Sequence, residues 1–295
     1  DYQIDELGIR SESFLELALG HSHKINDQIT VGAKAKFLFG AAYADLVARR
    51  VAGEPLAYLL GSAWFAGLEF AVTPDVLIPR PDTEVLVDLA CARAQEMREP
   101  RIVDLGTGSG IIPIVLAKRC PHARITAVDF SPAALAVAQA NAERHGAVVR
   151  FLEGDWFVPL IGERFDLIVS NPPYYVDSLL SPDEGRNTAR HAAGLPFGEL
   201  AAAVVRLLAP GGRFALVLPP VEMQRFRSAA LGRLYPVRWT EVCSTPRRGV
   251  RRILAEFCTT PVPAPEPARL IIELGGPDSY TEDYRRLTGD FYLKF

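Results

Sequence analysis

The chain has 295 residues, 49% of them hydrophobic, and a formal net charge of −3. This excludes a disordered chain, supports a globular core of one large domain or two, and gives no global pull toward nucleic acid. No apolar run reaches the roughly 18 to 20 residues that a membrane helix needs, and the start "DYQIDELGIR" lacks the basic and apolar regions of a signal peptide, so a cytoplasmic location is expected.

Residues 1–62 read as a small helical domain, because "ESFLELALG" and "AKAKFLFGAAYADLVARRVAG" carry apolar residues at i, i+3 and i+4 and end on glycine. In "AWFAGLEFAVTPDVLIPR" the period changes to that of aromatic and β-branched residues around Gly67, which predicts a β-hairpin connector over residues 63–81. From 82 to 258 strand and helix patterns alternate, predicting parallel strands with helices on both faces. Ser131 as N-cap, Pro132 at the first position and Gly146 beyond the last turn bracket one of the helices. A proline-rich linker, "CTTPVPAPEPAR", leads into a tail, so that 259–295 reads as linker and tail. Cys91, Cys120, Cys243 and Cys258 form no C-x-x-C pair and have no histidine at ligand spacing, which predicts buried thiols and no metal. Arg247, Arg248, Arg251 and Arg252 crowd "TPRRGVRR", a solvated loop or a patch for phosphates.

The chemistry concentrates at the ends of the predicted strands. "VDLGTGSG" closes the first strand of the alternating region and opens its first helix; Gly106, Gly108 and Gly110 let the backbone turn tightly and come close to a ligand. Asp129 closes the next strand, placed to accept both hydroxyls of a ribose. The third glycine comes one residue too early for a dinucleotide fingerprint, and the acidic Asp104 would repel a pyrophosphate while suiting the cationic sulfonium and amino group of S-adenosylmethionine. Asp155 in "EGDWF" follows the third strand, within reach of an adenine amino group.

"FDLIVS" is the fourth strand, and it ends on "NPPYY". Asn-Pro is a common turn opener, but here the turn emerges at the edge where open α/β sheets bind ligands. An amide or aromatic amine is a poor nucleophile because its lone pair is delocalised. The Asn171 side-chain oxygen and the Pro172 carbonyl can hold its two N–H protons and direct its lone pair, while Tyr174 stacks on the planar group and the prolines supply rigidity.

"DLGTGSG", "AVDFS", "GDWF" and "NPPY" together resemble class I S-adenosylmethionine methyltransferases acting on exocyclic nitrogen. Residues 1 to about 174 are similar to the release factor glutamine methyltransferases of the HemK family, most specifically through "LIPRPDTE". Residues from about 175 to 295 look instead like the bacterial enzymes that methylate N6 of adenine-37 in a valine tRNA. The resemblance implies a Rossmann-like α/β fold with a seven-stranded sheet. It implies cofactor roles for Asp104, Gly106, Gly108, Asp129 and Asp155, with Thr107, Gly110, Phe130, Trp156 and Asn171 in the same motifs. It places Asn171, Pro172, Pro173 and Tyr174 at the substrate nitrogen. The HemK side alone adds Arg80 and Glu84 beside the substrate; with Thr83, Glu84 equally suits the first turn of a helix. The expected activity is methylation of a release factor glutamine by a monomer whose helical domain presents the partner, with adenine N6 of tRNA as the rival and a non-catalytic cofactor-binding module as a third reading.

Overall fold

The structure, a computed structural model, describes residues 7–10, 16–19, 45–172, 196–275 and 279–288. The chain divides into two compact units, Asp1–Leu60 and Gly61–Phe295. In the first, β1 (Leu7–Arg10) and β2 (Glu16–Leu19) pair antiparallel, and α1 (45–51) is followed by α2 (Leu56–Leu60). The second half of "ESFLELALG" is therefore a strand and not the expected helix. Leu17 and Leu19 also fit a period of two, as do Leu7 and Ile9, and the register sets Leu7 opposite Leu19 and Ile9 opposite Leu17. So short an apolar run satisfies either period, and pairing decides.

The second unit opens with the predicted hairpin, β3 (Ser62–Phe65) and β4 (Leu68–Ala71). Its two turn residues, Ala66 and Gly67, have φ of 52° and 72°, the positive values that a tight type I′ hairpin turn requires. Strands and helices then alternate: α3 (Pro81–Gln95), β5 (Arg101–Leu105), α4 (Ile111–Arg119), β6 (Arg124–Asp129), α5 (Pro132–His145), β7 (Arg150–Glu153), β8 (Phe165–Ser170), α6 (Phe197–Leu207), β9 (Leu208–Leu218) and α7 (Pro220–Ala229). The antiparallel pair β10 (Tyr235–Cys243) and β11 (Val250–Cys258) follows, then β12 (Ala268–Ile271) and α8 (Glu282–Thr288). Ser131 caps α5 as expected, accepting from the Ala134 N–H at 3.2 Å, and Gly146 ends it in the left-handed conformation.

One sheet runs through this unit in the order β12-β10-β11-β9-β8-β5-β6-β7. The strands β7, β6, β5, β8 and β9 are mutually parallel, β11 runs antiparallel to β9, and β12 joins parallel to β10. It has eight strands where seven were expected, because "ARLI" at the end of the proline-rich linker adds an edge strand. Apolar residues alternate between its faces: in β9, Ala215 and Val217 pack with α3 and α4, while Phe214, Leu216 and Leu218 pack with α6 and α7. That double burial is what a parallel sheet requires. The hairpin and the tail belong to the same core, with Phe70 and Tyr284 both buried in it. All four cysteines are buried free thiols. Among the described residues no helix is long and apolar enough to cross a membrane.

Candidate active site

Parallel pairing brings the carboxyl ends of four strands to one edge: Leu105 lies opposite both Val128 and Ser170, and Asp129 opposite Glu153. Asp104, the glycine loop, Asp129, the "GDWF" turn and Asn171 therefore emerge side by side, where open α/β sheets hold their ligands. The Ser170 hydroxyl donates to the Leu105 carbonyl at 2.8 Å, tying the strand before Asn171 to the strand before the loop.

The loop is built around Asp129. Its two carboxylate oxygens accept from the N–H of Gly108 at 2.8 Å and of Ser131 at 3.0 Å, leaving a lone pair on each for a ligand hydroxyl. Burial raises its pKa against these backbone donors. A Cβ built on Gly108 would meet no protein atom within 4 Å, so the space beside it is open to a ligand. Gly110 differs: φ is 80°, and a Cβ there would lie 3.0 Å from Ala138 Cβ and Ile114 Cδ1, so only glycine lets α4 and α5 approach. Asn141, in the middle of α5, fixes this arrangement. Its amide accepts from the Ala71 N–H and donates to the carbonyls of Ala71 and Ser109, joining hairpin, helix and loop.

Three buried polar groups around the loop have no hydrogen-bond partner among the described residues: both carboxylate oxygens of Asp104, the Thr107 hydroxyl and the Trp156 indole N–H. Desolvation raises the Asp104 carboxyl to about 7, with the Asp129 charge adding to the rise and the Thr107 hydroxyl opposing it without closing a hydrogen bond. The Trp156 ring, on a backbone with φ of 46°, covers the loop, 3.4 Å from where a Cβ on Gly106 would stand. Orphaned groups of this kind are costly, so their concentration at one place marks a ligand site. A carboxylate and two neutral hydrogen-bonding groups suit a ligand that carries an ammonium and polar oxygens. Phe130 and Asp155 are both exposed, at the rim of the same edge.

The "LIPRPDTE" segment leads into the first turn of α3, which begins at Pro81. Arg80 is its exposed N-cap, and Pro81 occupies the first position. Asp82 pairs with Arg252 of β11 at 2.9 Å, so one of the four clustered arginines is engaged within the fold while Arg247, Arg248 and Arg251 are exposed. Glu84, expected beside the substrate, is 2% exposed. It accepts from the Ala66 N–H of the hairpin turn at 2.9 Å and from the Tyr284 hydroxyl of α8 at 3.2 Å, and so fastens the hairpin and the tail to the start of α3. Between them stands Thr83, whose hydroxyl accepts from Asn171 Nδ2 at 3.1 Å. Pro172 is buried beside Asn171; Pro173 and Tyr174 lie outside the described residues.

The sequence reading missed three residues of this edge: Thr83, Asn141 and Ser170. Two carried a signal, since an asparagine in a helix interior and a serine ending an apolar strand each work against local preference.

Residues 82–221 match the family described as methyltransferase small domain, and 1–54 match a family of unknown function. A release factor glutamine methyltransferase of Bordetella pertussis is 59% identical over 135 residues, covering 45% of this chain and 50% of that protein. One from Moorella thermoacetica is 43% identical over 192 residues, 62% of this chain and 68% of that protein. This chain belongs to the release factor glutamine methyltransferase family. It spans about half the length of the first curated relatives it matches. A predicted O-methyltransferase of Agrobacterium tumefaciens, 20% identical, aligns with a TM-score of 0.55 over 72% of this chain and 97% of its own, and so shares the fold. The cofactor of a methyltransferase of this family and fold is S-adenosylmethionine. The orphaned carboxylate, hydroxyl and indole N–H around the glycine loop, with the remaining lone pairs of Asp129, fit a ligand that carries an ammonium and a ribose diol, as this cofactor does.

Proposed function

We propose that this protein methylates the side-chain amide nitrogen of a glutamine in a peptide chain release factor, in the cytoplasm. The observation that carries this reading is the place of Asn171: at the edge that holds the cofactor loop, after a strand end tied by Ser170, with Nδ2 bonded to Thr83 and no described hydrogen bond reaching Oδ1. Asp104 and Asp129 would hold the cofactor by its ammonium and ribose hydroxyls, beside the loop that Trp156 covers. The bound cofactor supplies an electrophilic methyl carbon on a sulfonium. Asn171 Oδ1 and the Pro172 carbonyl accept the two N–H bonds of the glutamine amide and turn its lone pair toward that carbon. Once the nitrogen had received the methyl group, one of the two N–H protons held by these acceptors would pass to solvent. Tyr174, outside the described residues, is the residue whose ring chemistry suits stacking on the planar amide; Arg80 is exposed for contact with the partner, and residues 1–60 present the release factor.

Incubation with labelled S-adenosylmethionine and either a release factor or unmodified tRNA tests the substrate. Label should enter the release factor and disappear on deletion of residues 1–60. Label in tRNA alone, falling steeply with added salt through counterion release, would establish adenine methylation instead.

A further inference from the structure

We infer that Thr83 is a positioning residue for the proposed reaction, anchoring one end of the Asn171 amide so that the other end is held toward the substrate. The inference rests on the methyl-transfer reading of Asn171. A primary amide presents an acceptor and a donor of nearly equal size, and only the acceptor end is useful against a substrate nitrogen that itself bears two N–H bonds. With the amide turned over, N–H would face N–H. Thr83 Oγ1 holds Nδ2 at 3.1 Å, so the planar amide directs Oδ1 away from α3.

The hydroxyl is fit for this because it cannot drift. Thr83 is 1% exposed, and its N–H donates to the Arg80 carbonyl in the first turn of α3. The residues on either side of it are fastened to three other elements: Asp82 to Arg252 on β11, and Glu84 to the hairpin at Ala66 and to Tyr284 on α8. A helix start pinned at both neighbours offers the amide a fixed partner, as a catalytic constellation requires of its supporting shell. Elements far apart in sequence thus converge on the orientation of one side chain.

The test compares Thr83→Val, which keeps the shape and removes the hydroxyl, with Thr83→Ser, which keeps the hydroxyl, using a release factor as methyl acceptor. Thr83→Val should lower kcat about tenfold or more with the Kd for S-adenosylmethionine changed less than about twofold, and Thr83→Ser should restore most of kcat. A role in packing alone predicts the reverse, since valine fills the site better than serine, and the melting temperatures of both variants separate a folding defect from misorientation. A normal kcat for Thr83→Val beside an inactive Asn171→Ala would overturn this inference and leave the proposed function standing. An active Asn171→Ala would overturn the proposed function itself.

Discussion

Asp104 invites replacement by asparagine, which keeps the shape of the side chain and removes its charge. The carboxyl is fully buried without a hydrogen-bond partner among the described residues, and burial pushes it up to about 7, against 3.8 for an unperturbed aspartate. Between those two values the folded protein binds more protons than the unfolded chain. Asp104 therefore leaves stability untouched below pH 3.8, lowers it as pH rises toward 7, and costs its full amount above. At 1.36 kcal/mol per pH unit that amount is up to about 4 kcal/mol. Urea unfolding of the cofactor-free protein from pH 5 to 8 should show Asp104→Asn more stable than the natural protein, with a gap that widens toward pH 7 and then levels. Cofactor binding should reverse the preference, because an ammonium beside the carboxylate favours its ionised form. Below pH 7 calorimetry in buffers of different ionisation enthalpy should detect proton release on binding S-adenosylmethionine, and Asp104→Asn should bind weakly with no release. Equal stabilities at pH 8, or undiminished affinity in the variant, would refute the assignment of Asp104 to the cofactor's cation.

Asp129→Ala should weaken S-adenosylmethionine binding by about 1.5 to 3 kcal/mol, the range for hydrogen bonds to a charged group, as measured by calorimetry; unchanged affinity would remove Asp129 from the site. Gly110→Ala places a Cβ where Ala138 and Ile114 already stand, on a backbone of φ 80°, and should lower the melting temperature by several degrees, a destabilisation of about 1 to 3 kcal/mol. Tyr284→Phe removes one of the hydrogen bonds to Glu84 and should destabilise by about 1 kcal/mol in denaturant unfolding while leaving cofactor affinity unchanged.

The parts of this architecture written in local pattern were legible in the sequence. Alternating apolar runs, the glycine loop, Asp129 at a strand end and the Ser131 cap all depend on residues close together in the chain, and parallel pairing carries them to one edge. What escaped depends on distance. Glu84 sits in a motif that points to the substrate, yet its partner Tyr284 is 200 residues away and the hairpin turn it holds is 18 residues before it. The arginine cluster reads as a single basic patch until Arg252 is found paired with Asp82. The strand β12 is only four residues long, too short for a period to identify, and the β2 segment was misread for the same reason. Asn171 was singled out for its carbonyl oxygen, but what fixes its amide, Thr83, lies 88 residues earlier in a different element.

The central claim is that the edge formed by the glycine loop and Asn171 transfers a methyl group to a glutamine amide. The most direct measurement is single-turnover methylation of a release factor with labelled S-adenosylmethionine, comparing the natural protein with Asn171→Ala and locating the label by mass spectrometry. The account predicts one methyl on a glutamine side chain, and for the variant a rate lower by about a hundredfold or more at unchanged cofactor affinity. Label on any other residue, or a variant that keeps its rate, would contradict it.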